Sequence, residues 1–234
     1  RCFILGLTND TESPLGLGAD LALNLCITPE QAVSTRTYLA PLILLYIMAK
    51  VFTGAWTTDL FDGIEAVIES LKENLDAFES VSEKIEKFLG FPPYISFIGR
   101  GFSLSTVETG ALFIKEVAKY PSLPFDSGQF RHGPFEMIGG DFSCFVFAQQ
   151  DQGYEMQLRL AADIAAKGSK VVLVSDGDEK EKDTMLVIRQ RYPVPELADM
   201  INIVPIQAFG NYIAKRKGLE VGVFLYSSKI TQIQ

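Results

Sequence analysis

From Pro92 onward, short unbroken apolar runs alternate with stretches of helical period, and this alternation narrows the fold more than any other feature of the chain. The runs are Tyr94–Ile98, Phe142–Phe147, Lys170–Val174 and Ile201–Val204. Between and after them lie helical patterns at Val107–Lys119 and Tyr154–Lys167, a short one near Pro195–Met200, and a last one at about Gln207–Lys217. A strand that is apolar on both faces must be covered on both faces. Helices that return the chain between parallel strands supply that cover. The expectation is therefore an α/β fold with a parallel sheet flanked by helices, and a ligand site at the carboxyl edge of the strands.

The rest of the chain divides around this region. Residues 1–60 show a strand at Cys2–Leu7, a polar turn, and an apolar helix from about Arg36 to Phe52. Residues 61–91 are rich in Glu and Lys and place Ile64, Val67, Ile68 and Leu71 on one helical face, which reads as a solvated helical linker. Residues 92–217 form the α/β domain, and 218–234 a tail. The opening strand is already under way at Arg1 with no initiator Met, which reads as a fragment. Tyr38–Ala49 is too short to span a bilayer and contains Pro41, so no membrane association is expected.

Composition closes off some function classes. With 47% hydrophobic and 21% charged residues the chain can bury a core. A net charge of −8 disfavours nucleic acid, although a small phosphorylated ligand needs only a local group of donors. Cys2, Cys26 and Cys144 are odd in number and widely spaced, which suits a reducing, cytoplasmic setting rather than a disulfide framework. One histidine and no clustered ligands imply neither a metal nor an organic cofactor.

The strongest local signal follows the Tyr94 strand. Gly99-Arg100-Gly101 lets the backbone turn sharply before a helix, and Ser105 and Glu108 have capping-box spacing. A helix start behind a glycine-bearing loop can hold an anion, and a plain tight βα turn would look the same. On that helix lies Glu116, and sixteen residues later His132 begins the break His132-Gly133-Pro134. Alone, each reads as a solvated side chain. Together they suit aldose–ketose isomerisation, in which a carboxylate carries a proton between adjacent carbons and an imidazole assists ring opening.

The segment Phe97–Ile138, with its strand–GRG turn, its GALFIKE helix and its SG–HGP loop, resembles the second domain of sugar isomerase (SIS) proteins. Within that family it is similar to the isomerase part of the glutamine–fructose-6-phosphate aminotransferases. The likeness continues into Leu7-Thr8-Asn9, Ser13-Pro14-Leu15 and the EQAVSTRT segment from Glu30 to Thr37. It implies one complete SIS domain of flavodoxin- or Rossmann-like form, preceded by the end of another. It gives Glu116 the role of isomerase base, and His132 that of a ring-opening group contributed across the interface of a homodimer or larger homo-oligomer. Lys229 matches a lysine of the tail that closes over the sugar. Ser34 and Thr35 match a loop that reaches the sugar phosphate, and either could equally cap the Tyr38 helix.

The chain also departs from the pattern. EQAVSTRT is one residue short and has Arg36 where Lys is common, Thr109 stands in place of a Glu, and Phe113 in place of a Lys. These changes reshape the pocket and put the aminotransferases' own substrate in question, and the family's serine- and threonine-rich phosphate loops, not seen here, are expected upstream of Arg1. The implied function is isomerase- or deaminase-type chemistry on a ketose or amino-sugar 6-phosphate, with deglycases among the relatives. The alternatives are the isomerase part of a true glucosamine-6-phosphate synthase and a non-catalytic phosphosugar sensor.

Overall fold

The computed structural model describes residues Arg1–Tyr226, so Lys229 lies outside the described residues. The chain forms two compact units, one of Arg1–Thr57 together with the residues from Leu225, the other of Thr58–Phe224. In the first, β1 (Leu5–Thr8) pairs in parallel with β2 (Leu21–Asn24) across the short helix α1 (Pro14–Gly18), and α2 (Arg36–Phe52) follows. The opening strand starts later than Cys2, and β2 was not anticipated from its mixed sequence LALN. The apolar helix has the expected bounds.

The second unit contains α3 (Asp59–Asp76), α4 (Phe78–Leu89), β3 (Ile95–Gly99), α5 (Leu104–Ala118), β4 (Ser122–Asp126) and α6 (Ser127–Phe130). These are followed by β5 (Ser143–Ala148), α7 (Tyr154–Ala166), β6 (Lys170–Ser175), β7 (Met185–Arg189) and α8 (Asp199–Arg216). The five strands make one parallel sheet in the order β4-β3-β5-β6-β7. Every residue of β3 and β5 is buried, as a sheet covered on both faces requires. On one face Phe97, Phe145 and Phe209 stack with ring centroids 5.3 and 5.7 Å apart, joining the sheet to α8. On the other, Leu160, Ala161 and Ile164 of α7 pack with Ile98, Cys144 and Val146. Each buried ring or branched side chain contributes about 2 kcal/mol by leaving water.

Helices α3 and α4, expected as a solvated linker, bury Val67, Ile85 and Leu89 and belong to the cover of this sheet. Ser70 and Ser82 donate their hydroxyls to the carbonyls of Arg191 and Ala208, at 2.8 and 3.2 Å. The expected strand Ile201–Val204 is instead helical, inside α8. That helix is buried nearly all round, so its apolar run carries no helical stripe to separate it from a strand. The two strands that were missed are the sheet's edges. β4 contains Pro124, which an edge strand tolerates, and β7 follows the acidic run at 176–183. Among the described residues no helix is long and apolar enough to cross a membrane.

Candidate active site

The chain leaves β3 for β4 on one side and returns to β5 on the other, so the carboxyl edge of the sheet opens between β3 and β5. The β3 turn is built for close approach. A Cβ on Gly99 would stand 2.5 Å from Ser103 Oγ and 2.8 Å from Val107 Cγ2, and Gly101 has φ of 60°. The Ser103 hydroxyl donates to the Arg100 carbonyl and accepts from the Arg100 N–H, both at 2.9 Å, and so braces the loop. A cleft of about 830 Å³ lies beside it, lined by Arg100, Gly101, Phe102, Asp151, Gly153 and Met156.

The start of α5 differs from the expected capping box. The helix begins at Leu104, Glu108 is exposed, and the cap comes from α8. The buried Asp199 carboxylate accepts from the Thr106 hydroxyl, the Ser105 hydroxyl and the Thr106 N–H. Burial pushes its pKa up, these donors pull it down, and the balance lies at about 6. The positive end of α5 thus already holds an anion, supplied by the protein itself. Asp199 and Thr106 are 93 residues apart, and no local spacing announces the pairing.

Glu116 occupies the last turn of α5, partly buried. That turn is a meeting point. Lys119, in the left-handed conformation at φ of 47°, donates through Nζ to the Glu116 carbonyl at 2.7 Å and to the Val223 carbonyl. Lys217 in turn donates to the Lys119 carbonyl, so the segment after α8 is tied against the turn that carries Glu116.

His132 lies elsewhere. It is exposed, follows β4 and α6, and donates its backbone N–H to the Gln129 carbonyl at 2.9 Å. α5 runs its 15 residues from the carboxyl edge of the sheet back towards the amino edge, about 20 Å at 1.5 Å per residue. Glu116 therefore lies towards the amino edge, whereas His132 belongs to the segment that returns from the end of β4 to the start of β5, beside Arg131, which pairs with Asp163 of α7.

In the first unit the Glu30 carboxylate gathers the start of α2. It accepts from the Thr35 N–H at 2.8 Å, the Thr35 hydroxyl at 2.9 Å, the Arg36 N–H at 2.6 Å and the Thr37 hydroxyl. Burial acts to raise its pKa, but the donors, Thr37 first, outweigh it and hold the carboxyl at about 2. Thr35 is the N-cap residue by position, but its side chain makes no capping bond. Ser34 precedes it, exposed. Among the described residues no group of three His, Cys, Asp or Glu could hold a metal ion.

No family model matches the chain. Over 225 residues it is 27% identical to the glutamine–fructose-6-phosphate aminotransferase [isomerizing] of Aquifex aeolicus, which takes in 94% of this chain and 37% of that protein. The chain thus spans little more than a third of the curated relative it matches. Its fold superposes with a TM-score of 0.84 on the C-terminal domain of the glucosamine-fructose-6-phosphate aminotransferase of Francisella tularensis, at 19% identity, over 94% of this chain and 64% of the other. The glucosamine-6-phosphate deaminase of Thermotoga maritima matches with a TM-score of 0.71 at 22% identity, over 92% of this chain and 62% of the other.

Proposed function

We propose that this chain, a relative of the isomerase part of glutamine–fructose-6-phosphate aminotransferases with the fold of sugar isomerase proteins, acts on a ketose or amino-sugar 6-phosphate by enolisation. The observation that carries the proposal is the setting of Glu116. It is a partly buried carboxylate on the last turn of a rigid helix, with the segment after α8 tied against that turn. A base so placed takes a proton from the carbon beside the sugar carbonyl and returns it to the neighbouring carbon, converting ketose and aldose forms through an enediol.

Ring opening needs a second proton carrier, and the resemblance gives that part to His132 of a neighbouring copy. The proposal therefore includes a cytoplasmic homodimer, or a larger homo-oligomer, in which His132 of one copy serves Glu116 of another. Lys229 is carried on resemblance as a further catalytic residue, and Ser34, Thr35 and the Gly99-Arg100-Gly101 turn as substrate-binding residues. Thr35 would use its remaining lone pair, since its hydroxyl proton is directed at Glu30.

Glu116→Gln should abolish exchange of the sugar's C1 and C2 protons with solvent deuterium while leaving ligand binding within a few-fold. Undiminished exchange in that variant removes Glu116 from the reaction.

A second reading is favoured by the names of the curated relatives: the isomerase part of an aminotransferase, drawing ammonia from glutamine. Ammonia released from the amino sugar, ammonia taken up from glutamine, or neither, measured on the full-length protein, separates deaminase, synthase and plain isomerase.

A further inference from the structure

Lys119 closes α5 in the left-handed conformation, with φ of 47° and ψ of 51°. Glycine is the usual occupant of such a position, because a Cβ there is strained. A lysine that carries the strain points to a task for its side chain. Helix α5 ends at Ala118, so the Glu116 carbonyl is among the last four, which have no amide partner within the helix. The Lys119 ammonium takes up that carbonyl at 2.7 Å and also reaches the Val223 carbonyl, 104 residues away in the chain.

A second lysine makes the converse bond. Lys217, at the end of α8, donates its ammonium to the Lys119 carbonyl and lies 5.9 Å from the centroid of the Tyr120 ring. The path between the two fastenings is set by the backbone. Leu219 donates its N–H to the Ala214 carbonyl at 2.9 Å across Gly218, whose φ is 65°. Val223 donates to the Glu220 carbonyl across Gly222, whose φ is 80°. Residues 217–223 thus leave α8, turn twice, and are held at both ends to residue 119. Both ammonium groups lie at helix C-termini, where the backbone favours positive charge.

We propose that Lys119 is a positioning residue for the reaction at Glu116: with Lys217 it forms a two-way clasp that locks the helix end bearing the carboxylate against residues 217–223. The last turn of a helix is where fraying begins, which makes it a poor seat for a base. A displacement of about 1 Å at a reacting group can cost about 10²-fold in rate. The clasp removes that freedom by holding the Glu116 carbonyl from one side and the Lys119 carbonyl from the other. Lys119 acts through these carbonyls rather than through contact with the sugar. This role rests on the enolisation reading, whereas the clasp itself rests on the bonds of the two lysines.

Lys119→Gly separates positioning from mere support, because glycine relieves the strained backbone while deleting the clasp. Its thermal midpoint should stay within a few degrees of wild type. On the full-length protein, with fructose 6-phosphate and glucosamine 6-phosphate as probes, exchange of the C1 and C2 protons with solvent deuterium should lose at least about tenfold in kcat, with KM held within about threefold. Lys119→Met keeps the strain and loses the donor, so it should match that loss, and Lys119→Arg should recover most of it. Lys217→Met should slow the reaction in the same way, and the double variant no further than the slower single one, since each opens the same clasp. Amide hydrogen exchange should rise at residues 219–223 and stay as in wild type in the middle of α8. Wild-type kcat in Lys119→Gly, a loss confined to KM, or unchanged amide exchange at residues 219–223 overturns the positioning role alone. A wild type inert towards both sugars overturns the enolisation reading and the positioning role with it, so the two failures are told apart.

Discussion

Asp199 offers a quantitative test of how the start of α5 is held. Its folded-state pKa is about 6, against 3.8 for the free side chain, because burial outweighs the donors from Thr106 and Ser105. A carboxyl whose pKa is raised by folding binds its proton more tightly in the native state. Its contribution to stability is therefore greatest below about pH 4, falls as pH rises from about 4 to about 6, and is flat above that. The shift amounts to about 3 kcal/mol in full, of which about 2 kcal/mol is lost between pH 4.5 and 7.5. Asp199→Asn keeps an oxygen for the Thr106 hydroxyl and removes the titration. Urea unfolding at the two pH values, followed by far-ultraviolet circular dichroism, should show wild type losing about 2 kcal/mol more than the variant, close to 1 M in midpoint at a slope near 2 kcal/mol/M. Thr106→Val removes a donor to the carboxylate, so it should steepen the wild-type decline as well as lower stability. Equal pH slopes in wild type and Asp199→Asn would refute the argument, because the carboxyl would then titrate as it does in the unfolded chain.

Two further outcomes follow from the geometry. Mixing Glu116→Gln and His132→Ala chains under conditions that exchange subunits should restore turnover to about a quarter of wild type. Half of the resulting dimers then carry one intact pair of groups, whereas sites built within single chains would stay silent. Glu30→Gln should fray the start of α2 and cost about 1–2 kcal/mol in the first unit at neutral pH. Because the Glu30 pKa is lowered to about 2, its stabilisation is present above about pH 4.5 and disappears as pH falls towards 2, so wild type and variant should converge in acid. Hydrogen exchange at Leu39 and Ala40 would record both effects.

How much of this was legible beforehand depended on whether the deciding neighbour lay nearby in sequence. β5 and β6 are central strands, apolar on both faces, and announce themselves. β4 carries Pro124, which an edge position tolerates, whereas β7 is as long as the central β3 and its apolar Met185–Ile188 run directly follows a charged stretch. The run at 201–204 misled because α8 is enclosed on all sides, and enclosure erases the periodicity that distinguishes a helix. The spacing of Glu116 and His132 was visible, since both sit on one β–α–β unit. Asp199 was not, because its partners are brought to it by the packing of α5 on α8. Arg131 and Arg159 look like ordinary surface charges until α6 and α7 place them around the same recess as Arg100.

That placement bears on how a sheet of this kind divides its labour. At its carboxyl edge the second unit offers arginines and an open cleft; at the far end of α5 it offers Glu116 and the segment after α8, and the exposed His132 follows α6. A strand and a helix are too stiff to bring the two edges together, and 15 helical residues fix their separation. Two copies related by a twofold axis bring such groups together without bending anything: if one copy's His132 meets the other's Glu116 turn, symmetry makes the same contact twice. The proton carriers would then be complete only in the assembly, and an isolated subunit would keep its fold while losing turnover. Dilution below the dimer dissociation constant should therefore abolish catalysis before it changes the ellipticity.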